Sequence, residues 1–148
     1  MVKPRAILAA NLYLNLLLSA NPDVTAVGLI FKSATQRSFD LLLPEGVAEE
    51  LRQVVARRPY LAARVSQETL DALFVQLLEF ATLLPLLEQA PPRISRDPND
   101  DYLVALAVVH EAEFLVTRDR DLLSLGEVVG VRMVDPVAFL DVICSIED

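Results

Sequence analysis

Two groups of aspartates near the end of the chain could do chemistry together. One precedes an alanine-rich apolar segment and the other follows a strand-like segment; they are Asp97, Asp100 and Asp101, and Asp119 and Asp121. Closely spaced carboxylates repel one another unless a cation neutralises them, so the pattern favours a divalent-metal site. An ion held by carboxylates and water can activate water for attack on a phosphodiester. The hypothesis is therefore hydrolytic chemistry at an acidic site.

The composition limits which metal and which surface are possible. The 148 residues include one His and one Cys, which excludes a zinc site built from those residue types and leaves Mg²⁺ or Mn²⁺ on carboxylates. With a formal net charge of −8, a broadly basic nucleic-acid surface is excluded, although a local basic rim is not. Eight arginines could form such a rim or act as ion-pair partners, and we favour ion pairing: Arg52, Arg57, Arg58, Arg64, Arg93, Arg96, Arg118 and Arg120.

Alternating strand-like and helix-like segments predict the elements that hold these acids. A hydrophobic fraction of 53% and this length favour one α/β domain, with helices on both faces of a mostly parallel sheet. The predicted strands are residues 5–9, 38–43, 82–87, 113–117 and 131–134, and Pro85 confines the third of them to an edge or an end of the strand. The predicted helices are residues 12–20, 24–35, 45–57, 67–80 with Ser66 as N-cap, 100–111, 119–125 and 136–143.

The predicted topology brings the two acidic groups to one edge of the sheet. A helix that crosses back over a parallel sheet starts at the edge where the strands end, so helix 100–111 starts where strand 113–117 ends. Taken one at a time, each aspartate is more simply explained by helix capping or turn formation. It is the pairing of the two groups across one helix–strand unit that favours a site.

The uncharged run at residues 6–22 has two interpretations. Lys3 and Arg5 precede it, as in a secretory signal or membrane anchor, but Asn11 and Asn15 interrupt it and it is short for a bilayer span. We favour a short strand followed by a buried helix. On that interpretation the protein is cytoplasmic and does not enter a membrane.

Several sequence blocks together carry a family resemblance. The most specific are DPNDD at residues 97–101 and VTRDRDLL at residues 116–123. Others are ILAAN at 7–11, EELR at 49–52 followed by Arg58 and Pro59, and VDPVAFL at 134–140. Together they resemble the PIN domain, most closely its VapC-like branch of toxins from toxin–antitoxin systems. The resemblance covers essentially the whole chain, so residues 1–148 are expected to form a single PIN domain.

The resemblance implies a fold, an activity and a set of site residues. It implies a three-layer α/β/α domain with a five-stranded, mostly parallel sheet, a pocket for Mg²⁺ or Mn²⁺ and cleavage of RNA. It also implies a homodimer or higher homo-oligomer and an antitoxin protein as a partner. By position, the acids implied for catalysis and metal binding are Glu50, Asp101, Asp119 and Asp121, with Asp100 as a further metal ligand. Asn11 and Thr117 match the polar residues that orient the pocket and bind substrate.

One departure from the family pattern bears directly on activity. The family's first strand normally ends in Asp-Thr-Asn, whereas this chain has Ala9, Ala10 and Asn11. Losing outer residues of a metal site costs roughly 10–100-fold in affinity or activity, and losing a direct ligand should cost more. Three explanations stay open: a degenerate nuclease, compensation by Asp100, or alanines introduced to tame a toxic protein. The alternative function is a non-catalytic PIN-like module that binds RNA or a partner protein.

Overall fold

The computed structural model describes residues 3–94 and 97–147, and all statements about the structure refer to these. The strands are β1 (Arg5–Leu8), β2 (Asp40–Pro44), β3 (Thr82–Leu84), β4 (Phe114–Val116), β5 (Glu127–Val128) and β6 (Val131–Val134). The helices are α1 (Ala10–Leu18), α2 (Ala26–Thr35), α3 (Glu45–Arg57), α4 (Pro59–Arg64), α5 (Gln67–Leu77), α6 (Pro98–Val109), α7 (Arg120–Leu123) and α8 (Pro136–Glu147). A 3₁₀ turn over Pro22–Val24 precedes α2.

The strands form one sheet in the order β3-β2-β1-β4-β6-β5. β1 is central, and its Ile7 pairs in parallel with Leu42 of β2 and with Leu115 of β4. The chain builds the sheet outward from β1 in one direction through β2 and β3, then in the other through β4 and β6. In an open parallel sheet, such a reversal of strand order leaves a crevice at the carboxyl ends of the two strands, here β1 and β4.

The predicted α/β architecture is confirmed, and the sheet has one more strand than predicted. Five strands are parallel, and the two-residue β5 pairs antiparallel with β6 at the edge. So short a strand gives no alternating pattern to detect. Helices flank the sheet, consistent with α/β/α layers. In the core, Phe139 of α8 packs edge-on against Phe39 at a ring-centroid distance of 4.9 Å and also contacts Phe114 of β4.

Helix α3 follows the predicted amphipathic pattern, and a separate helix follows it. Val47, Leu51 and Val55 recur every four residues and are buried, as a helix with one core-facing side requires. Pro59 ends α3 as expected, yet it also begins α4, which the sequence analysis did not predict. Proline is excluded from a helix interior but fits the first turn, where its missing N–H is not needed.

Two other local predictions are confirmed by the structure. Ser66 caps α5, because its hydroxyl accepts a hydrogen bond of 3.0 Å from the Thr69 amide. Residues 6–22 form most of β1, all of α1 and the start of the 3₁₀ turn, in agreement with the interpretation as a strand and a helix. Across the described part of the chain, the helices are all too short or too polar to cross a bilayer.

Candidate active site

The crevice between the ends of β1 and β4 gathers most of the predicted site residues. The Ala9 amide donates a hydrogen bond of 2.9 Å to the Val116 carbonyl, which ties the two strand ends together. Directly beyond this bond, Asn11 lies in the first turn of α1 and Thr117 follows β4. Polar side chains from two separate chain segments are thereby brought to one edge of the sheet.

A cavity of about 140 Å³ lies at this edge. Its wall carries four carboxylates, one amide and one hydroxyl among small and apolar side chains. The lining residues are Ala9, Ala10, Asn11, Glu50, Asp97, Asp100, Leu103, Thr117, Asp119 and Leu122. They include Asn11, Glu50, Asp100, Thr117 and Asp119 from the predicted site, whereas Asp101 and Asp121 do not line the cavity.

Asp100 and Asp119 interact directly across the cavity. The pKa of the Asp100 carboxyl, which is 7% exposed, is raised from 3.8 to about 7 by its burial together with the negative charges of Asp119, Asp97 and Asp121 and a hydrogen bond with Asp119. A carboxyl with a pKa of about 7 is protonated in roughly half of the molecules at neutral pH, and a cation bound at this site would displace that proton.

A short turn fixes the orientation of Asp119. The buried Thr117 hydroxyl accepts a hydrogen bond of 3.0 Å from the Asp119 amide, and the Asp119 carboxylate accepts one of 2.9 Å from the Asp121 amide. Asp119 is therefore the N-cap of α7, and Asp121, in the first turn of that helix, is exposed. Asp119 thus caps α7 and lines the cavity at the same time, while the Asp121 side chain lies outside the cavity and raises the pKa of Asp100 through its charge.

Asp101 differs from the sequence-based expectation. Its side chain is fully buried, with one oxygen 2.9 Å from Arg93 Nε and the other accepting a hydrogen bond of 3.1 Å from the Ile94 amide. Successive residues of a helix point about 100° apart, and here Asp100 lines the cavity whereas the Asp101 side chain points toward Arg93 and Ile94. The structure brings Asp100 to the site and uses Asp101 to anchor residues 93 and 94.

Two further acids complete the cavity wall. Burial raises the pKa of Glu50, on α3, and the charge of Asp97 raises it further. Asp97 was among the aspartates noted in the sequence but not among the predicted site residues. Its carbonyl accepts hydrogen bonds from the amides of Asp100 and Asp101, so it stands where the chain enters α6. The signal that could have identified it is its place in the acidic run directly before Pro98.

Ala9 occupies the place where a carboxylate would complete the wall. It lines the cavity and is the N-cap residue of α1, with extended backbone angles and no side-chain cap. The departure noted in the sequence, where the resemblance implies an aspartate, therefore falls on the cavity wall itself.

The donor set fits a hard cation that is completed by other ligands. Asn11 Oδ1 and Asp100 Oδ2 are both buried without a hydrogen-bond partner in the described part of the chain, and buried acceptors of this kind need a donor or a cation. Within the same residues no three acidic, His or Cys side chains converge closely enough to hold an ion alone. Mg²⁺ is commonly held by one or two carboxylates with water and substrate phosphate, which matches this arrangement.

Of the eight arginines considered in the sequence, the structure describes seven, and among these Arg52 and Arg93 form ion pairs. Arg93 pairs with Asp101, and Arg52 lies 3.3 Å from Asp71 on the surface while its guanidinium stacks over Phe74. Arg96 lies outside the described residues. The exposed pair contributes little to stability.

The fold and the site define a class of protein: a mostly parallel α/β domain with an acidic cavity where the strand order reverses. The family model described as "PIN domain" matches residues 5–121, and the chain belongs to this family. Membership suggests a nuclease-like function, RNA binding and dependence on divalent metal, as is general among PIN domains.

A solved structure agrees with this fold. The chain is similar to PAE2754 from Pyrobaculum aerophilum, with 17% sequence identity and a TM-score of 0.59. The alignment covers 97% of this chain and 90% of that one. At this identity the likeness supports the fold alone. No curated protein matches the sequence significantly.

Proposed function

We propose that this protein is a divalent-metal-dependent endoribonuclease whose active site is the acidic cavity. The observation that carries the proposal is the convergence of Glu50, Asp97, Asp100 and Asp119 on one small cavity. These residues come from three separate segments of the chain. Neither helix capping nor turn formation requires their side chains to meet, and their mutual repulsion opposes it.

Each residue has a role in this proposal. Asp100 and Asp119 would hold Mg²⁺ or Mn²⁺ together with Asn11 Oδ1, and Glu50 would add charge from the opposite wall. A bound cation would supply charge neutralisation and activate water for attack on phosphorus. Thr117 keeps Asp119 oriented through its amide. Asp101 and Asp121 are assigned supporting roles, since neither lines the cavity.

The proton on Asp100 competes with a cation for the same carboxylate. With a pKa near 7, Asp100 is partly protonated at physiological pH, and a cation held by Asp100 and Asp119 would have to displace that proton. We therefore expect cleavage to increase with pH through the neutral range.

The toxin role is the finer part of the proposal and depends on the sequence resemblance to the VapC-like branch. It includes an antitoxin protein as partner, a homodimer, a cytoplasmic location and one PIN domain over residues 1–148. Expression of the chain alone should slow growth, and co-expression of a cognate antitoxin should restore it. Light scattering would measure the oligomeric state.

A degenerate module that binds RNA or a partner protein is the second candidate. The observation that favours it is Ala9, which leaves the cavity without the carboxylate that the family places there. A cleavage assay with Mn²⁺ separates the candidates when the natural chain is compared with Ala9→Asp. Cleavage by both forms supports the nuclease, and cleavage by Ala9→Asp alone supports a disabled copy. If neither folded form cuts RNA, the nuclease proposal is wrong. Asp119→Asn in each background is the control for contaminating ribonuclease.

A further inference from the structure

A second cavity, of about 210 Å³, adjoins the acidic one and has a different character. Gly46, Val47, Glu50, Tyr102 and Leu103 line it, and Glu50 and Leu103 belong to both walls. Apart from Glu50, its lining is aromatic, aliphatic or backbone. An apolar cavity of about 150 Å³ can hold a benzene molecule, so this cavity has room for one ring system but not for a paired duplex.

Tyr102 provides the cavity with an aromatic side chain and a polar group. Its hydroxyl is buried and makes no hydrogen bond of standard geometry within the described residues. Burial raises the pKa of this hydroxyl, and the nearby backbone of Leu87 partly opposes that rise. Its ring packs against Gly46, where an added Cβ would lie 2.8 Å from Cε1. Aromatic side chains with a polar end are those on which proteins stack and bind unpaired bases.

We propose that this second cavity binds one unpaired nucleobase of the RNA next to the scissile phosphate, with Tyr102 as its specificity-determining residue. The inference rests on the proposed ribonuclease function, because the position of the acidic cavity defines where the phosphate would lie. The Glu50 carboxylate in the shared wall repels phosphate, so the second cavity takes the uncharged part of the nucleotide. Unpaired bases can be splayed out to enter such a site, whereas stacked and paired bases cannot.

The test measures binding without cleavage. Fluorescence anisotropy measures the affinity for a labelled single-stranded tetracytidylate and for an abasic oligomer of equal length and phosphate number. Both are measured in EDTA, and again with Mn²⁺ in an Asp119→Asn background, so that no RNA is cut. We expect the bases to strengthen binding to the natural chain. Tyr102→Leu should weaken binding of tetracytidylate by about 5- to 150-fold, the range of one base–aromatic stack, and leave the abasic oligomer unchanged. Tyr102→Phe should give a smaller loss.

Two variants keep the result interpretable. Gly46→Ala displaces the Tyr102 ring, and since alanine is the better helix former we expect a folded protein with weaker tetracytidylate binding. Tyr60→Leu removes an exposed tyrosine that lies outside the cavity and should leave binding unchanged.

The outcomes separate this inference from the proposed function. Three results would overturn the base site even if the chain cuts RNA. They are equal binding of the two oligomers, no binding of either, and binding of tetracytidylate that is unchanged by both Tyr102→Leu and Gly46→Ala. Base-dependent binding that is lost in these variants supports the base site; if neither the natural chain nor Ala9→Asp then cuts RNA, the ribonuclease proposal fails, and with it the place of this base next to a scissile phosphate.

Discussion

The Oδ2 atom of Asp101 lies 2.9 Å from Nε of Arg93. The Asp101 side chain is fully buried, whereas the Arg93 side chain is 64% exposed. The Ile94 amide donates to the other oxygen. The carboxylate therefore anchors the chain just before α6. Its neighbour Asp100 faces the acidic cavity instead, so the two adjacent aspartates have separable effects.

Asp101→Asn should lower stability without affecting metal binding. The amide side chain can still accept from Ile94 but loses the charge that pairs with Arg93, so we expect a loss of about 1–3 kcal/mol in the free energy of unfolding. Because the Arg93 side chain is mostly exposed, it is not left as a buried charge. Urea denaturation measures the loss, and calorimetric titration with Mn²⁺ should give unchanged affinity.

Asp100→Asn is the matched control and should weaken Mn²⁺ binding instead. The same response in both variants would contradict this division of roles.

The pKa of Asp100 predicts how stability changes with pH in the absence of divalent ions. The value is raised from 3.8 to about 7 on folding, so the folded state binds more protons between these limits and the contribution of Asp100 to stability falls as pH rises through them. Asp100→Asn removes this dependence. We therefore expect the difference in free energy of unfolding between Asp100→Asn and the natural chain to shift in favour of the variant by more than about 1 kcal/mol from pH 4.5 to pH 7.5. Urea denaturation at each pH measures this difference. A constant difference would show that Asp100 is ionised throughout. Mn²⁺ at pH 8 should stabilise the natural chain more than Asp100→Asn.

Ala9→Asp should restore both a helix cap and a metal ligand. Position 9 is the uncapped N-cap of α1, where Asp or Asn contributes about 1 kcal/mol. Ala9→Asn is therefore the matched control, since it supplies a cap without a charge. We expect Ala9→Asn to raise stability in EDTA, and Ala9→Asp to gain less in EDTA but more once Mn²⁺ is added. Equal responses of the two variants to Mn²⁺ would argue against position 9 as a ligand.

Thr117→Val should loosen the turn that orients Asp119. Valine keeps the shape of threonine but cannot accept from the Asp119 amide, so we expect a loss of about 1 kcal/mol in stability and weaker Mn²⁺ binding. Thr117→Ser retains the hydroxyl and should keep Mn²⁺ affinity near that of the natural chain. If valine binds Mn²⁺ as well as serine does, the hydrogen bond does not position Asp119.

Much of the fold follows from local patterns in the sequence. The spacing of Val47, Leu51 and Val55 predicts α3, and Ser66 predicts the start of α5, because helix periodicity and capping depend only on nearby residues. The elements that were missed have no such local signal. Pro59 both ends one helix and begins another, and the two residues of β5 are defined only by pairing with β6.

The candidate site divides in the same way. The sequence by itself determined that acids follow β4 and open α6, and its predicted parallel topology brings these positions to one edge; its family resemblance adds the expectation of a carboxylate where Ala9 stands. Only the tertiary structure decided that Asp100, not Asp101, faces the cavity, and that Asp97 joins it while Asp121 stays outside. The reason is geometric: neighbouring helical residues point in different directions, and which of them meets the crevice depends on how α6 packs against β1 and β4.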